Sequence, residues 1–522
     1  MLVKVSLAVG KPYTEIDVPR GTKLEAIFDQ CRTEGVYDAY AANVDNDVKP
    51  MNYAIHRDCE VQFLDIRNTS ASLIYQNSLV LLMLRAAQDV LPGRVIEVRT
   101  TLCDGIYIEF GEEGIQQSEV TSLGRRMKEL VESDLPIYRD WNDYALDGFT
   151  ARFFTLIVPR TGYLGKFELR KYRKGMLLRY PQISDPDTIP PFKDDKMMYD
   201  AFREQDRWND LLGVRYIKDI NQIVRAGDCR EMIKLSEALH DKKVVDIADD
   251  ITRKGKRIIL ILGPSSSGKT TTAKRLAIQL KVNGLFPFYV STDDYFVERD
   301  QTPRDAKGDY NFEGIDAIDI DLFNDQMNAL LAGEEVDIPV FDFIQGTKVF
   351  GKRITKLTED QTIIIEGIHS FNPKLTGEIP DEEKYRIYIS PLTQVNLDQY
   401  NRIPKTDARL IRRMVRDSWS RNNNAAKTLK NWNKVHEGET ENIFPYCNEA
   451  NVFFNTVHIY EICVLKSYAV PMLEEITRDL PEYAEAQRLL RYLDSVEAFD
   501  DEEMIASDSI LREFIGGSIY SK

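Results

Sequence analysis

Hydrophobic positions alternate with small or polar ones at the start of the chain: Val3, Val5, Leu7 and Val9, then Ile16 and Val18 across a turn at Gly10–Pro12. A period of two predicts a hairpin of half-buried strands. Pro19, Arg20 and Gly21 break it, and Thr22 with Glu25 predicts a capping box with Thr22 as N-cap. Leu24, Ile27, Phe28 and Cys31 follow at helical spacing, and Val61, Phe63 and Leu64 predict a closing strand. Residues 1–66 therefore read as a small α+β module. In 67–250 the pattern predicts a buried helix from Leu73 to Gln88 and a strand pair from Arg94 to Phe110 around Asp104-Gly105. From 251 to 475 it changes. Ile258–Leu262 is a continuous apolar run, as a parallel strand buried on both faces requires. Ala273, Leu276, Ala277 and Leu280 form a helical stripe, and Phe286–Ser291 and Thr362–Ile365 predict two further strands. Asn442–Asn455 and Val457–Ala469 read as a closing strand and helix. Leu489, Leu490 and Leu493 mark a helical tail over 476–522, whose acids Asp500, Asp501, Glu502 and Glu503 suggest a solvated face. The fold class is α/β, a parallel-sheet unit preceded by two α+β units.

Composition narrows the possibilities. The 522 residues carry 84 acidic and 68 basic side chains, a net charge of −16, which excludes a protein that coats nucleic acid by bulk charge. Six cysteines with no CxxC spacing indicate neither a zinc ribbon nor a disulfide framework. Lys4 and Lys11 interrupt the first apolar stretch, so no signal peptide is expected, and the longest apolar run ends at Arg85, short of a membrane span. A cytoplasmic setting without membrane contact is expected. Between Arg152 and Arg179 eight basic residues face one acid, Glu168, with Phe153, Phe154, Tyr163, Phe167, Tyr172 and Tyr180 at intervals. That mixture suits single-stranded RNA, or a strand hairpin with a basic outer face and an aromatic inner one.

The strongest local signal is Gly263-Pro264-Ser265-Ser266-Ser267-Gly268-Lys269-Thr270, followed by Thr271. It satisfies GxxxxGK[ST] and sits between a predicted strand and a predicted helix, the context a phosphate-binding loop needs. Gly263 and Gly268 let successive N–H groups face a phosphate, and the helix N-terminus adds a favourable dipole. Lys269 would bridge the β- and γ-phosphates of ATP, and the Thr270 hydroxyl would bind Mg²⁺. No NKxD guanine motif is present, since Asn433-Lys434-Val435 ends in His436, and no LSGGQ string occurs. Asp293, after the second strand, stands where a carboxylate would accept the proton of an attacking hydroxyl. Glu366, ending the third strand, stands where an acid would order Mg²⁺ and its water.

Four segments together, the P-loop, Asp293-Asp294-Tyr295-Phe296, Asn311–Asp319 (NFEGIDAID) with Ile338–Phe343 (IPVFDF), and Glu366-Gly367, resemble the uridine kinase and phosphoribulokinase family from about Arg257 to Leu473. The resemblance implies an ATP- and Mg²⁺-dependent kinase with Asp293 as general base. Tyr295, Glu313 and Phe341 would be substrate contacts, with Glu313 against the ribose hydroxyls. The family's uridine kinases place a tyrosine and a histidine against the base where this chain has Phe341 and Gly346, so two polar base contacts are replaced. Arg409, Arg412, Arg413 and Arg416 fall at i, i+3, i+4 and i+7 and share a helix face. The resemblance makes that helix a lid, with Arg413 and Arg416 clamping ATP phosphates and Arg421 a further candidate.

The first module resembles the TGS domain. The helix LIYQNSLVLLM followed by GRVIEVRTTLCDGIYIEF resembles the second additional domain of threonyl-tRNA synthetases, without the histidines that an editing or zinc site needs. His369, His436 and His458 read as isolated structural residues. The expected activity is transfer of the γ-phosphate of ATP to a hydroxyl of a uridine- or cytidine-like nucleoside. Two alternatives stay open, a kinase of a non-nucleoside alcohol or sugar and an RNA- or tRNA-linked NTP-binding module. Self-association into a homo-oligomer is also open.

Overall fold

The computed structural model describes residues 1–304, 308, 310–342, 345–358, 361–392 and 395–520. Phe343, the last residue of the IPVFDF string, lies outside them. Leu2–Ser6 and Thr14–Asp17 form the predicted hairpin, and Leu2–Ser6 also pairs in parallel with Cys59–Asp65. Ala39–Val44 and Asp47–Pro50 complete a five-stranded mixed sheet. Helix Leu24–Cys31 buries Leu24, Ile27 and Phe28 on it, the face its spacing predicts. Thr22 is not the cap. Lys23 occupies the N-cap position, while Thr22 pairs with Ile55 in a two-residue bridge and donates its hydroxyl to the Pro19 carbonyl at 2.8 Å. Backbone pairing has taken the residue that a capping box would have used.

The buried helix runs from Thr69 to Val90, started by Asn68, whose side chain accepts from the N–H groups of Ser70 and Ala71. It lies against a four-stranded sheet that includes Glu97–Leu102 and Gly105–Glu109, the predicted pair, and the hairpin Glu168–Tyr172 with Gly175–Arg179. In the basic stretch, Phe153, Tyr172 and Tyr180 are buried. Its cations meet carboxylates: Arg152 with Asp143, Arg160 with Asp134, Arg173 with Asp194, and the buried Arg179 with Glu168.

The third unit is a fully parallel five-stranded sheet. In spatial order its strands are Phe288–Ser291, Ile363–Gly367, Ile258–Leu262, Lys384–Ser390 and Val452–Asn455. The central strand shows why a continuous apolar run was needed. Ile258, Leu260 and Leu262 enter the core on one face with Phe323, Met327 and Leu330 of helix Ile320–Leu331. Ile259 and Ile261 enter the opposite core with helix Cys229–Arg253 and the P-loop helix Lys269–Val282. All five strand residues are wholly buried.

A third core lies under the arginine helix, Lys405–Ser420. It contains helix Ala425–Asn442, helix Glu461–Glu474 and helix Tyr483–Leu493, together with Val496, Ile505 and Leu511. The C-terminal residues are thus built into the body that carries the arginines. His458 is not isolated: its ring stacks on buried His240 at 4.0 Å and bonds the Ser236 hydroxyl at 3.1 Å. Among the described residues no helix is long and apolar enough to cross a membrane, and all six cysteines are free thiols.

Candidate active site

The P-loop leaves the central strand at Leu262 and re-enters regular structure at Lys269. Gly263 is fixed by close approach, because a Cβ there would lie 2.5 Å from the Ile389 carbonyl oxygen. Ser266 and Gly268 have φ of 60° and 84°, the left-handed geometry that turns successive N–H groups to one side. Gly268 is the N-cap of the P-loop helix and supplies no side-chain cap; of the first-turn donors, the Thr271 N–H is met by the Glu513 carboxylate at 3.3 Å. Lys269 Nζ lies over the loop, donating to the carbonyls of Gly263 and Pro264 at 3.0 and 3.2 Å. The Ser266 and Ser267 hydroxyls are buried without a hydrogen-bond partner. Orphaned hydroxyls beside a lysine at a helix N-terminus fit a polyphosphate.

Beside this strand Glu366 ends its parallel neighbour. Its carboxylate accepts from Tyr289 Oη at 2.6 Å, Ser291 Oγ at 3.3 Å and Thr270 Oγ1 at 3.4 Å. Only oxygen donors gather here, and among the described residues no group of three metal-ligating side chains exists. A site with one or two protein oxygens suits Mg²⁺, which keeps waters and takes its remaining ligands from phosphates.

Asp293 sits in the short turn after Phe288–Ser291. Its carboxylate is open to the cleft yet ringed by protein, and that crowding pushes its pKa up to about 6. Desolvation is the largest cause, Glu366 adds to it, Lys269 opposes it, and Glu313 and Asp294 raise it further. A base in this state is ionised at neutral pH and still able to take a proton. The expected result is a kcat/KM that is level near pH 8 and falls about tenfold per pH unit below about 6. An acid limb that does not move in an Asp293→Glu variant would assign it elsewhere.

Glu313 closes the other side. Burial raises its pKa, with Arg413 pulling the other way. Gly438 lets the following helix approach, since a Cβ there would fall 2.8 Å from the Glu313 Cβ. The four arginines divide into two pairs. Arg409 and Arg412 point inward and are buried, Arg409 bonded to Glu439 and Arg412 to Glu461. Arg413 reaches the P-loop, donating to Ser265 Oγ at 2.8 Å. Arg413, Arg416 and Arg421 all meet the single carboxylate of Asp417, at 3.4, 2.7 and 3.7 Å. Three guanidiniums on one acid leave positive charge to spare over the loop, where triphosphate charge would need neutralising.

Two expected substrate contacts lie elsewhere. Tyr295 is fully buried, its ring on Phe323 and its hydroxyl donating to Gln326 Oε1 at 2.7 Å, so it braces the turn from below. Phe341 is 7% exposed and packs on Phe296 at 5.6 Å, which leaves little of its face for a base. Gly346, at φ 74°, is covered by Arg299, whose side chain would meet a Cβ there. Asp294 is structural as well, accepting from Arg353 at 2.7 Å. Sequence reasoning missed Tyr289, Glu439 and Glu513. Glu439 accepts from the Ser265 N–H at 3.2 Å, and Glu513 meets Thr271. Glu439 falls on a helical spacing with Ala425, Thr428, Leu429, Trp432 and Val435, a signal present in the chain.

A parallel sheet with a P-loop and a strand-end acid at the carboxyl ends of adjacent strands defines a P-loop phosphate-handling domain. The comparisons agree, with residues 258–462 matching the phosphoribulokinase/uridine kinase family. The chain is 28% identical to a uridine kinase of Mycoplasma genitalium over 34% of this chain and 74% of that one. It is 27% identical to a uridine kinase of Halalkalibacterium halodurans over 35% and 77%. The mouse uridine-cytidine kinase-like 1 protein is 30% identical over 33% of this chain and 28% of its own length. Among solved structures, a possible uridine kinase from Bacillus stearothermophilus aligns with 40% of this chain and 98% of its own at 22% identity and a TM-score of 0.27. Residues 1–257 lie outside the family match.

Proposed function

We propose that this chain is an ATP- and Mg²⁺-dependent kinase that phosphorylates the primary hydroxyl of a ribonucleoside. One observation carries the reading: Asp293, the acid with the raised pKa, stands in the electrostatic field of both Lys269 and Glu366, across from Glu313 and the arginines around Asp417. Bound Mg²⁺–ATP would supply the γ-phosphoryl group, and the metal would offset phosphate charge. Lys269 and the P-loop N–H groups hold the β- and γ-phosphates, and Thr270 with Glu366 would order the metal and its waters. Glu313 orients the acceptor through its neighbouring hydroxyls. Asp293 accepts the proton of the attacking hydroxyl, and Arg413 with Arg416 offsets the charge that develops on the transferring group.

A second reading concerns the acceptor alone. The near-complete burial of Phe341 and the Arg299 side chain over Gly346 favour an acceptor read through its hydroxyls rather than through a base edge. ADP release would be measured against ribonucleosides, deoxyribonucleosides and small sugar alcohols. Turnover with uridine or cytidine at least about a hundredfold above the rest supports a nucleoside kinase. Preference for a sugar or other alcohol replaces the acceptor and keeps the chemistry. Hydrolysis indifferent to every alcohol and raised by tRNA would instead support an RNA-linked switch.

A further inference from the structure

Residues 510–514 of the C-terminal segment lie against the phosphate loop and its helix. Ile510, Leu511 and Phe514 are wholly buried. Ile510 and Phe514 lie in the core shared by the central strand and the P-loop helix, and Leu511 lies in the core under the arginine helix. Ile510 lies so close to Gly268 that a Cβ there would approach its Cγ2 to 2.7 Å. The Phe514 ring sits 4.6 Å from the Arg412 guanidinium carbon, and its carbonyl accepts from Trp419 Nε1 at 2.7 Å. Further on, the Tyr520 carbonyl accepts from Lys274 Nζ at 2.6 Å. The segment is therefore a fixed wall of the site.

From that wall one charged side chain reaches the loop. Glu513 Oε2 accepts from Thr271 Oγ1 at 2.6 Å and from the Thr271 N–H at 3.3 Å. Along a P-loop, successive backbone N–H groups meet successive phosphates. Lys269 and Thr270 belong to the β- and γ-phosphate end, beside Glu366 and Asp293. Thr271, one residue further and turned toward the C-terminal wall, would offer its N–H and hydroxyl to the phosphate nearer the nucleoside. The Glu513 carboxylate already holds both donors. A second anion cannot share them, and two negative charges at that distance repel.

We propose that Glu513 sets donor affinity: its carboxylate occupies the α-phosphate position of the P-loop, and a nucleoside triphosphate binds by displacing it. The inference rests on the kinase reading above. Displacement needs only rotation of one half-buried glutamate, because the wall that carries it stays anchored. The consequence is a donor site held weak by its own chain, so that donor affinity rises when the charge is removed.

The test is calorimetric titration of the full chain with Mg²⁺–ATP, for wild type, Glu513→Gln, Glu513→Ala and Lys269→Ala. Loss of the Glu513 charge is expected to lower the ATP Kd by about tenfold in the alanine variant and by a smaller factor in the glutamine variant. The isosteric Glu513→Gln keeps the test valid if the alanine variant loses its fold. A Kd unchanged or higher than wild type in the folded variants would overturn the assignment and leave Glu513 as a helix cap. Wild-type ATP binding that Lys269→Ala does not weaken would contradict the kinase reading itself, a result distinct from equal affinity of wild type and the Glu513 variants.

Discussion

Replacing Asp293 with asparagine is expected to lower kcat by about 10²–10⁴ while leaving the Kd for Mg²⁺–ATP within about twofold of wild type. The asparagine keeps the shape of the side chain and its place in the turn, whose backbone is held by the Asp293 N–H on Ser291 Oγ at 3.3 Å. It removes only the capacity to take a proton. On the proposed reading the donor site is made by other residues, the P-loop, Thr270, Arg413 and Arg416, so binding should survive. The acid limb of the pH profile should vanish with the carboxylate, since the group titrating near 6 is gone. Single-turnover kinetics with labelled ATP separates the two quantities. Full turnover in the variant would remove Asp293 from the chemistry.

Arg412→Ala is expected to destabilise the kinase unit by about 3–5 kcal/mol, the cost of leaving a buried carboxylate without its partner. Arg412 has no solvent exposure, and its partner Glu461 is nearly as buried. The same guanidinium donates to the Thr456 carbonyl at 2.7 Å and reaches the Ser266 carbonyl, so it ties helix Lys405–Ser420 to the end of strand Val452–Asn455 and to the phosphate loop. A thermal melt should show the loss. A double variant, Arg412→Met with Glu461→Leu, should recover most of it, because no unpaired charge remains in the core. If Arg412→Ala melts like wild type while ATP affinity falls, Arg412 is a phosphate contact and its inward pairing is not what it serves.

The contrast between Arg412 and Arg413 shows how far the chain itself could be read. Spacing places four arginines on one helical face, and that is correct. A face is wide, however, and whether an arginine on it turns inward depends on what lies opposite. The acids that draw Arg409 and Arg412 inward lie 30 and 49 residues further along, on other helices. Local pattern carries no trace of that pairing. The P-loop was readable because its chemistry is local: an apolar strand, two glycines at fixed spacing and a helical stripe. Asp293 and Glu366 were readable for a related reason, since an acid ending a parallel strand must stand at the ligand edge of the sheet. Tyr295 was misplaced because a short turn sends adjacent residues in opposite directions, and Gln326 offers its hydroxyl a partner below. Thr22 was misplaced because a backbone bridge to Ile55 outweighs a side-chain cap. Glu513 was out of reach, as its partner Thr271 is 242 residues away.

Burial sorts the arginines in one further respect. Around Asp417 the cations crowd: burial lowers the pKa of Arg413, Asp417 opposes, and Arg416 and Arg421 lower it further. Arg409 and Arg412 each face a buried carboxylate of their own. Unbalanced positive charge therefore collects around Asp417, where three guanidiniums share one carboxylate and Arg413 touches Ser265 of the P-loop.

The central claim is that this cleft moves a phosphoryl group from ATP to an alcohol. It is tested most directly by incubating the full chain with Mg²⁺, γ-labelled ATP and uridine or cytidine and following where the label goes. The account predicts label in a nucleoside 5′-monophosphate, with transfer lost in Asp293→Asn and in Lys269→Ala. Label that passes only to inorganic phosphate, at a rate no alcohol changes, would contradict it.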